Sequence, residues 1–145
     1  MANSTNNVSN NAKEVVRGFV NDIRSGKNLE KANYYMATEM LAHQVWAEGG
    51  STVHRSPENY VAHIEEFIEA FGPFEVILEE IIAEGDRVFV RWRQEGRHNV
   101  SLEGEVPTGK LLVEITSTVY RVENGKIVEY WLQTDRQGMS NQLKQ

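Results

Sequence analysis

The fold is decided by one stretch of sequence, Ile115-Thr-Ser-Thr-Val-Tyr-Arg-Val-Glu-Asn-Gly-Lys-Ile-Val-Glu-Tyr-Trp-Leu-Gln-Thr134. Asn124-Gly125 lies between two runs of β-branched and aromatic residues. It predicts a hairpin, because a type I′ turn needs two positive φ angles. Side chains alternate between the two faces of a strand, so Trp131, Gln133 and Asp135 are expected to leave one face together. An aromatic ring, an amide and a carboxylate in line suit the floor of a small-molecule cavity.

The segments before the hairpin divide into helices and strands. Apolar residues at helical spacing predict a helix near 11–25, a shorter one near 29–36, and a third that begins at Ser56-Pro57 and ends at Gly72-Pro73. Residues 37–55 have weak periodicity and are expected to form a loop with a little extended structure. An apolar period of two predicts four long strands at 74–84, 87–98, 110–122 and 127–134. Helices followed by an antiparallel meander indicate an α+β fold with the helices on one face of the sheet.

Length and composition limit the class of protein. The chain has 145 residues, which fits a single domain over 12–145. Residues 1–11 are polar, lack the apolar core of a signal peptide, and are expected to form a disordered or frayed tail. The net charge of −6 argues against nucleic-acid and anionic-membrane partners. The chain has no cysteine, which fits a reducing compartment, and a cytoplasmic location is expected.

The strand at 87–95 indicates which residues face the helices. One of its faces carries most of the charge, so the other is expected to be covered. The covered set is Val88, Val90, Trp92 and Gln94, and the charged set is Phe89, Arg91, Arg93 and Glu95. If the strand continues without a bulge, His98 stays on the covered face. Two tryptophans, two glutamines, a histidine and an aspartate could then line one cavity, of the kind in which ligands bind.

Asp135 is the strongest candidate for chemistry. In an apolar pocket its pKa would rise, which would prepare it to exchange protons near neutral pH. The alternative interpretation is that Asp135 caps a final helical turn and is solvated. His98 and His43 could each be a base, a hydrogen-bond donor to a substrate, or a structural histidine. His54 and His63 have weaker claims, and His63 is expected to flank the apolar stripe of its helix.

Other chemistries have less support. No His-x-His or His-x₃-His pair occurs, so no metal site is expected. No glycine-rich phosphate loop precedes a helix, which argues against a nucleotide. Arg93 and Glu95, together with Asp135, raise the possibility of an epoxide hydrolase in which an arginine bridges two carboxylates that position water. Strand parity instead places Arg93 and Glu95 on the charged face, where solvated side chains are the commoner explanation.

The sequence contains five distinctive motifs, Ala83-Glu-Gly-Asp-Arg-Val-Phe-Val-Arg-Trp92, Glu95-Gly-Arg-His98, Pro107-Thr-Gly-Lys110, Asn124-Gly-Lys-Ile-Val-Glu-Tyr-Trp131 and Asp135-Arg-Gln-Gly-Met-Ser-Asn-Gln-Leu143. Together they resemble those of the SnoaL-like polyketide cyclases, which belong to the cone-shaped nuclear transport factor 2-like (NTF2-like) fold. The resemblance covers roughly residues 12–143. It implies helices packed on a strongly curved antiparallel sheet that encloses a pocket. One departure is Phe71-Gly-Pro-Phe74, where the family often has Phe-Pro-Asp.

The resemblance implies an intramolecular aldol condensation on an aromatic polyketide ester, without metal or cofactor. In that family an aspartate on the last strand acts as acid and base, and the matching position is Asp135. His98, Gln133 and His43 are candidates for hydrogen bonds to the substrate oxygens, with Gln94 in the same pocket. The flat apolar walls for a planar ligand would come from Trp92, Trp131, Phe67 and Phe71.

Two further hypotheses stay open, because this fold supports many activities. One is an epoxide hydrolase or isomerase that uses Arg93, Glu95 and Asp135. The other is a non-catalytic module that binds a small apolar or aromatic ligand. A homodimer is expected in every case, because the charged face of the sheet also carries a patch of apolar residues. These residues are Phe89, Val113, Ile115, Val119 and Tyr130.

Overall fold

The computed structural model describes residues 3–145, with side chains from residue 7 onward. The elements in chain order are α1 (Asn3–Phe19), a π-helical turn (Val20–Arg24), a 3-10 turn (Leu29–Lys31), α2 (Ala32–Tyr35), β1 (Met36–Gln44), β2 (Ser51–Arg55), α3 (Pro57–Phe71), β3 (Glu75–Glu84), β4 (Arg87–Arg97), β5 (Leu111–Glu123), β6 (Lys126–Thr134) and α4 (Arg136–Leu143). Helix α1 therefore begins at Asn3, earlier than the sequence pattern predicted. Most of the stretch expected to be a frayed tail is helical, and residues 1 and 2 lie outside the described part.

The strands form one six-stranded sheet in the order β2-β1-β6-β5-β4-β3. All neighbours are antiparallel except β1 and β6, which are parallel. Helices α1 and α3 pack against the sheet, so the predicted α+β class is confirmed. The expectation of a loop over 37–55 is wrong, because β1 and β2 both lie there. Of these two strands, β2 is at the edge of the sheet, and β1 lies between β2 and β6.

One face of the sheet is buried under α1 and α3. Val88, Val90 and Trp92 of β4 are fully buried on this face, as their alternation predicted. Phe19 of α1 is also fully buried, and its ring lies 5.4 Å from that of Tyr120 on β5. We call this side, which carries Trp92, the inner face. The opposite side is the outer face.

The turn at Asn124-Gly125 has the predicted backbone. The φ angles are 52° at Asn124 and 75° at Gly125, which are the two positive values that a type I′ turn requires. The turn joins β5 to β6, and Tyr120 pairs with Tyr130 across the hairpin.

A β-bulge in this hairpin changes the faces of β6. Arg121 pairs with Glu129, but Val122 pairs with Ile127, so Val128 is an extra residue in β6. An extra residue reverses the face of every side chain beyond it. Ile127 is buried on the inner face, and after the bulge Tyr130 is again buried. The expectation that Tyr130 faces outward is therefore wrong.

Helix α3 is fixed at both ends over the inner face. The side chain of Ser56 caps its start by accepting a hydrogen bond from the backbone of Asn59 at 3.1 Å, and Pro57 occupies the first helical position. At its other end the helix approaches Gly96 of β4, where a Cβ atom would lie 2.8 Å from Cβ of Phe71. Only glycine allows this approach, so Gly96 sets the distance between α3 and the sheet.

Candidate functional site

A cavity lies between helix α3 and the inner face of the sheet. Its volume is about 110 Å³, and it is lined by the π-helical turn, α3 and five of the six strands. Polar and apolar side chains share the wall, and the aromatic ones are Tyr60, Phe67, Trp92 and Tyr130. Four ionisable side chains other than tyrosine also line it, namely Arg24, Arg55, His63 and Glu114.

Arg24 is the most unusual residue of the cavity, because a guanidinium is rarely buried. Only 3% of its surface is exposed. Its Nη2 donates a hydrogen bond to Oε1 of Gln94 at 2.6 Å and lies 3.7 Å from Oε1 of Glu114. Its Nη1 is buried without a hydrogen-bond partner.

Three aromatic rings surround the guanidinium of Arg24. Its central carbon lies 4.9 Å from the ring centre of Phe67, 5.6 Å from that of Phe74 and 5.1 Å from that of Trp92. These distances are in the range of cation–π attraction. The aromatic cage and the bond to Gln94 hold the guanidinium in one place.

The backbone around Arg24 is also unusual. Helix α1 continues into a π-helical turn over Val20–Arg24, and the backbone N–H of Ser25 donates to the carbonyl of Val20 at 3.1 Å. Such turns are rare and are often found at functional sites. The wider turn places Arg24 beside the buried Val20 and Ile23, on the side of the helix that faces the sheet.

His63 is the candidate proton acceptor of the cavity. It lies on α3, and its ring centre is 4.5 Å from that of Phe67. Burial lowers the pKa of His63 below its usual 6.5, and the positive charges of Arg55 and Arg24 lower it further against a smaller opposite effect of Glu66. The imidazole is therefore neutral at neutral pH and able to take a proton.

The cavity is positively charged although the chain is acidic. Arg24 and Arg55 each contribute a positive charge and Glu114 a negative one, which leaves a net charge of +1 on the lining with His63 neutral. The whole chain carries −6. This local excess of positive charge favours a ligand, or a reaction intermediate, that carries negative charge.

The structure brings part of the predicted pocket together. Trp92 and Phe67 line the cavity. Gln94 is 3% exposed and faces inward, where it binds Arg24. Phe71 is buried at the end of α3, but it packs against Gly96 and is not among the residues that line the cavity.

Other predicted residues lie on the outer face. Val128 reverses the alternation, so Trp131 pairs with Val119 and Gln133 with Ser117, both outward-facing residues of β5. The expectation that Trp131, Gln133 and Asp135 line the inner pocket is therefore wrong in its geometry. Instead, Tyr130, Leu132 and Thr134 of β6 line the cavity.

Asp135 is exposed and caps helix α4. Its Oδ1 accepts a hydrogen bond from the backbone N–H of Gly138 at 2.9 Å. It also borders an open cleft of about 410 Å³ with Ser117 and Gln133. Any role of Asp135 in acid/base chemistry would belong to this outer cleft and not to the inner cavity.

His43 is part of a polar cluster on the outer face. Its Nε2 lies 2.6 Å from Oε2 of Glu129, and its Nδ1 lies 2.8 Å from Oγ1 of Thr52. The ring stacks on Trp131 at 5.2 Å. The hydrogen bond from His43 holds the pKa of Glu129 below its usual value, and Arg121 lowers it further.

His98 and the pair Arg93 and Glu95 do not reach the cavity. His98 is fully buried, with Nδ1 3.3 Å from Oγ1 of Thr108. Arg93 donates from Nε to Oε2 of Glu95 at 2.8 Å, on the outer face as parity predicted. Neither residue borders the cleft that Asp135 lines, so the three groups required for the epoxide-hydrolase hypothesis do not converge.

Sequence reasoning missed Arg24, Arg55 and Glu114, and it expected His63 to flank its helix, whereas His63 lines the cavity. One signal for Arg24 was available, because it falls four residues after Val20 and so continues the apolar stripe of the first helix. A charged residue on such a stripe indicates a buried charge that needs partners. Glu114 and Arg55 had no comparable signal, since their faces depend on how β5 and β2 pair.

Over residues 3–145, no group of three or more histidine, cysteine, aspartate or glutamate side chains is arranged to hold a metal ion. Within the same part of the chain, no helix combines the length and the apolar character needed to cross a membrane.

Comparison with known proteins identifies the family. The model of the SnoaL-like polyketide cyclases matches residues 14–143. A candidate polyketide cyclase from Acidithiobacillus ferrooxidans has a similar structure, with a TM-score of 0.79 at 25% identity over 94% of this chain and 96% of that chain. IdmH, a candidate polyketide cyclase from Streptomyces antibioticus, gives a TM-score of 0.77 at 25% identity over 92% and 99% of the two chains.

A more distant structure shares the fold alone. It is an LEH-like epoxide hydrolase of M. tuberculosis, with a TM-score of 0.68 at 16% identity over 94% of this chain and 91% of that chain. No curated protein matches this chain in sequence.

Proposed function

Because the chain belongs to the SnoaL-like polyketide cyclase family and has an NTF2-like fold, we propose that it closes a ring in a small polyketone by an intramolecular aldol reaction within the inner cavity. One observation supports this most directly. His63, which is neutral at neutral pH, shares a largely enclosed cavity with the positive charges of Arg24 and Arg55. A base beside fixed positive charge is the arrangement that enolate formation requires.

The reaction needs no second reactant, because every atom of the product comes from the substrate and the proton that His63 removes is returned. His63 takes a proton from the carbon next to one carbonyl, and the positive charges of the cavity stabilise the enolate. The enolate carbon then forms a bond to a second carbonyl carbon of the same chain. The electron pair of that carbonyl becomes an alkoxide, which takes the proton back from the imidazolium. The product has the same atoms as the substrate, and the enzyme returns to its starting state.

The size of the cavity limits the substrate. Its volume of about 110 Å³ is below the ~300 Å³ of typical drug-sized sites. A short chain with two carbonyl groups is therefore a suitable probe, whereas a multi-ring ester would require α3 to move away from the sheet. Heptane-2,6-dione closes to 3-hydroxy-3-methylcyclohexanone by this reaction.

The test measures ring closure of heptane-2,6-dione by NMR with the wild type and two variants. His63→Gln removes the base and is expected to lower the rate about 10²-fold or more, the usual effect of losing a general base. Asp135→Asn is expected to retain the wild-type rate. His54→Gln is the matched control, because His54 is an exposed histidine outside the cavity. A rate that falls with Asp135→Asn but not with His63→Gln would place the reaction in the outer cleft instead.

We also propose that two copies associate through the outer face. Ile77 and Ile82 are 42% and 58% exposed, and Phe89, Val119 and Trp131 are only half-buried on the same face. Charges of both signs lie among them, as in Arg93 with Glu95 and Arg121 with Glu129. A second copy could cover the apolar groups and match these charges.

Light scattering at micromolar concentration tests the dimer. The wild type is expected at twice the chain mass, and Val119→Glu at the mass of one chain. Tyr34→Glu is the control, because Tyr34 is 73% exposed and lies on helix α2, outside the outer face. A wild-type monomer would contradict the proposal.

A further inference from the structure

We propose that the inner cavity selects a ligand that ends in a carboxylate, bound by Nη1 of Arg24 and Nε1 of Trp92. This inference rests on the proposed function only in using the same cavity, because it concerns binding and requires no turnover. It narrows the substrate class from short polyketones to short keto acids.

The first reason is a pair of buried donors without partners. Nη1 of Arg24 and Nε1 of Trp92 are both buried, and neither has a hydrogen-bond acceptor in the structure. Buried polar groups are nearly always paired, so two unpaired donors in one site need an explanation. Both residues line the cavity, and the guanidinium lies 5.1 Å from the centre of the Trp92 ring. A ligand that brings two acceptor oxygens would satisfy both.

The second reason is that the guanidinium has no freedom to turn towards other acceptors. Its Nη2 is occupied by Gln94 at 2.6 Å, and Phe67, Phe74 and Trp92 surround it. Nη1 is therefore held in position for an incoming group. Charge-assisted bonds from arginine to a carboxylate are about twice as strong as neutral hydrogen bonds.

The third reason is charge. Glu114 offsets only part of the positive charge, since Arg24 and Arg55 both line the cavity and Oε1 of Glu114 lies 3.7 Å from Arg24. One negative charge on the ligand would bring the sum to zero. Phosphate carries more charge and more oxygen atoms than a carboxylate, and it is less suited to a site with two donors and one excess positive charge.

The location of the two donors also orients the ligand. Arg24 and Trp92 are 3% and 0% exposed, whereas His63 is half-buried. A carboxylate held by the two buried donors would leave the rest of the ligand directed towards the more exposed part of the lining, which includes His63. The anchor and the proton acceptor are then separate groups that act on different parts of one molecule.

The test compares benzoate with its uncharged isostere benzamide and with inorganic phosphate, using the indole N–H signal of Trp92 in NMR. The chain has three tryptophans, so Trp92→Phe assigns the signal, and Trp131 on the outer face is the internal reference. We expect benzoate to bind at least tenfold more tightly than benzamide or phosphate and to shift Trp92 but not Trp131.

Variants identify the group responsible. Arg24→Met is expected to weaken benzoate at least tenfold, and Arg17→Met is the matched control, because Arg17 lies on α1 with its side chain 41% exposed. Glu114→Gln removes the competing carboxylate without removing Arg24 and is expected to tighten benzoate, so the inference can be tested even if Arg24→Met does not fold.

Three results would overturn the inference. The first is equal binding of benzoate and benzamide, and the second is tighter binding of phosphate than of benzoate. The third is no saturable shift of the Trp92 indole signal, which would mean that the two donors bind water only. The two proposals can fail separately. If His63→Gln loses ring closure while benzoate and benzamide bind equally to the wild type, the proposed function stands and the carboxylate ligand is rejected. Selective binding of benzoate by a protein that closes no ring would do the reverse.

Discussion

Oε1 of Gln94 accepts a hydrogen bond from Nη2 of Arg24 at 2.6 Å, and both residues are 3% exposed. Replacing Gln94 by leucine keeps the size of the side chain but leaves the charged donor unpaired. We expect Gln94→Leu to lower the free energy of unfolding by about 1.5–3 kcal/mol, the range for hydrogen bonds to charged groups. Urea denaturation measures the change. Gln133→Leu is the control, since Gln133 is exposed on the outer face, and an equal loss there would show that the bond contributes nothing specific.

Gly18 and Tyr35 give a second prediction for stability. A Cβ atom on Gly18 would lie 2.5 Å from Cε1 of Tyr35, and the hydroxyl of Tyr35 is bound to Asp22 at 2.5 Å, so the ring cannot move without losing that bond. We expect Gly18→Ala to cost about 1–3 kcal/mol, as overpacking usually does.

A double-mutant cycle checks the cause. In a Tyr35→Ala background the clash is absent, and Gly18→Ala should then stabilise helix α1 by up to ~1 kcal/mol, because alanine is the better helix former. A cost that persists without the Tyr35 ring would contradict the predicted contact.

Asp135 gives a prediction about stability, which tests its role as the N-cap of helix α4. Its carboxylate accepts from the N–H of Gly138 at the start of α4, and loss of an N-cap side chain typically costs ~1 kcal/mol. Asp135→Ala is therefore expected to lower the melting temperature, whereas Asp135→Asn should keep the cap and nearly all of the stability. Thermal unfolding followed by circular dichroism measures both. Equal melting temperatures for the alanine variant and the wild type would show that the cap adds nothing.

His63 predicts a pH dependence of stability. Desolvation and, to a smaller extent, Arg55 lower the folded-state pKa of His63 below 6.5. Below pH 6.5 the unfolded chain takes up a proton at this site that the folded protein does not, so the unfolded state gains stability. The contribution of His63 to folding is fully present above pH 6.5 and decreases as the pH falls towards the folded-state pKa.

Urea denaturation between pH 5 and 8 tests this dependence. The free energy of unfolding should fall more steeply below pH 6.5 in the wild type than in His63→Gln. His54→Gln, at an exposed histidine, should follow the wild type. Parallel curves for the wild type and His63→Gln would contradict the lowered pKa.

The sequence contained enough information for the main layers of the fold. Asn124-Gly125 can adopt two positive φ angles at little cost, and this placed the hairpin correctly. The alternation at Val88, Val90 and Trp92 assigned β4 to the correct face, because that strand pairs with β5 without a bulge. The start of α3 followed from Ser56-Pro57. In each case a few neighbouring residues determine the local backbone.

The site could not be predicted to the same extent, because it depends on pairing between distant strands. Nothing in the residues around Val128 marks it as the extra one, and without the bulge Trp131 and Gln133 would be expected to face inward. Strands β1 and β2 also have no strong local pattern, so Arg55 on β2 could not be assigned to the cavity. The position of His63 could not be interpreted from the sequence, because it shares the cavity with Arg24 and Arg55, which are distant from it or on another element.

The extra residue at Val128 has a consequence for how this kind of site can change over time. Deleting a single codon there would exchange the two faces of β6 beyond that point. Trp131 and Gln133 would then face inward, and Tyr130 and Leu132 would face outward. No substitution could do this, because each replaces one side chain without turning its neighbours. A family member with one residue fewer at this point could therefore line its cavity with the side chains that face outward here, although the sequence of the strand would be almost the same.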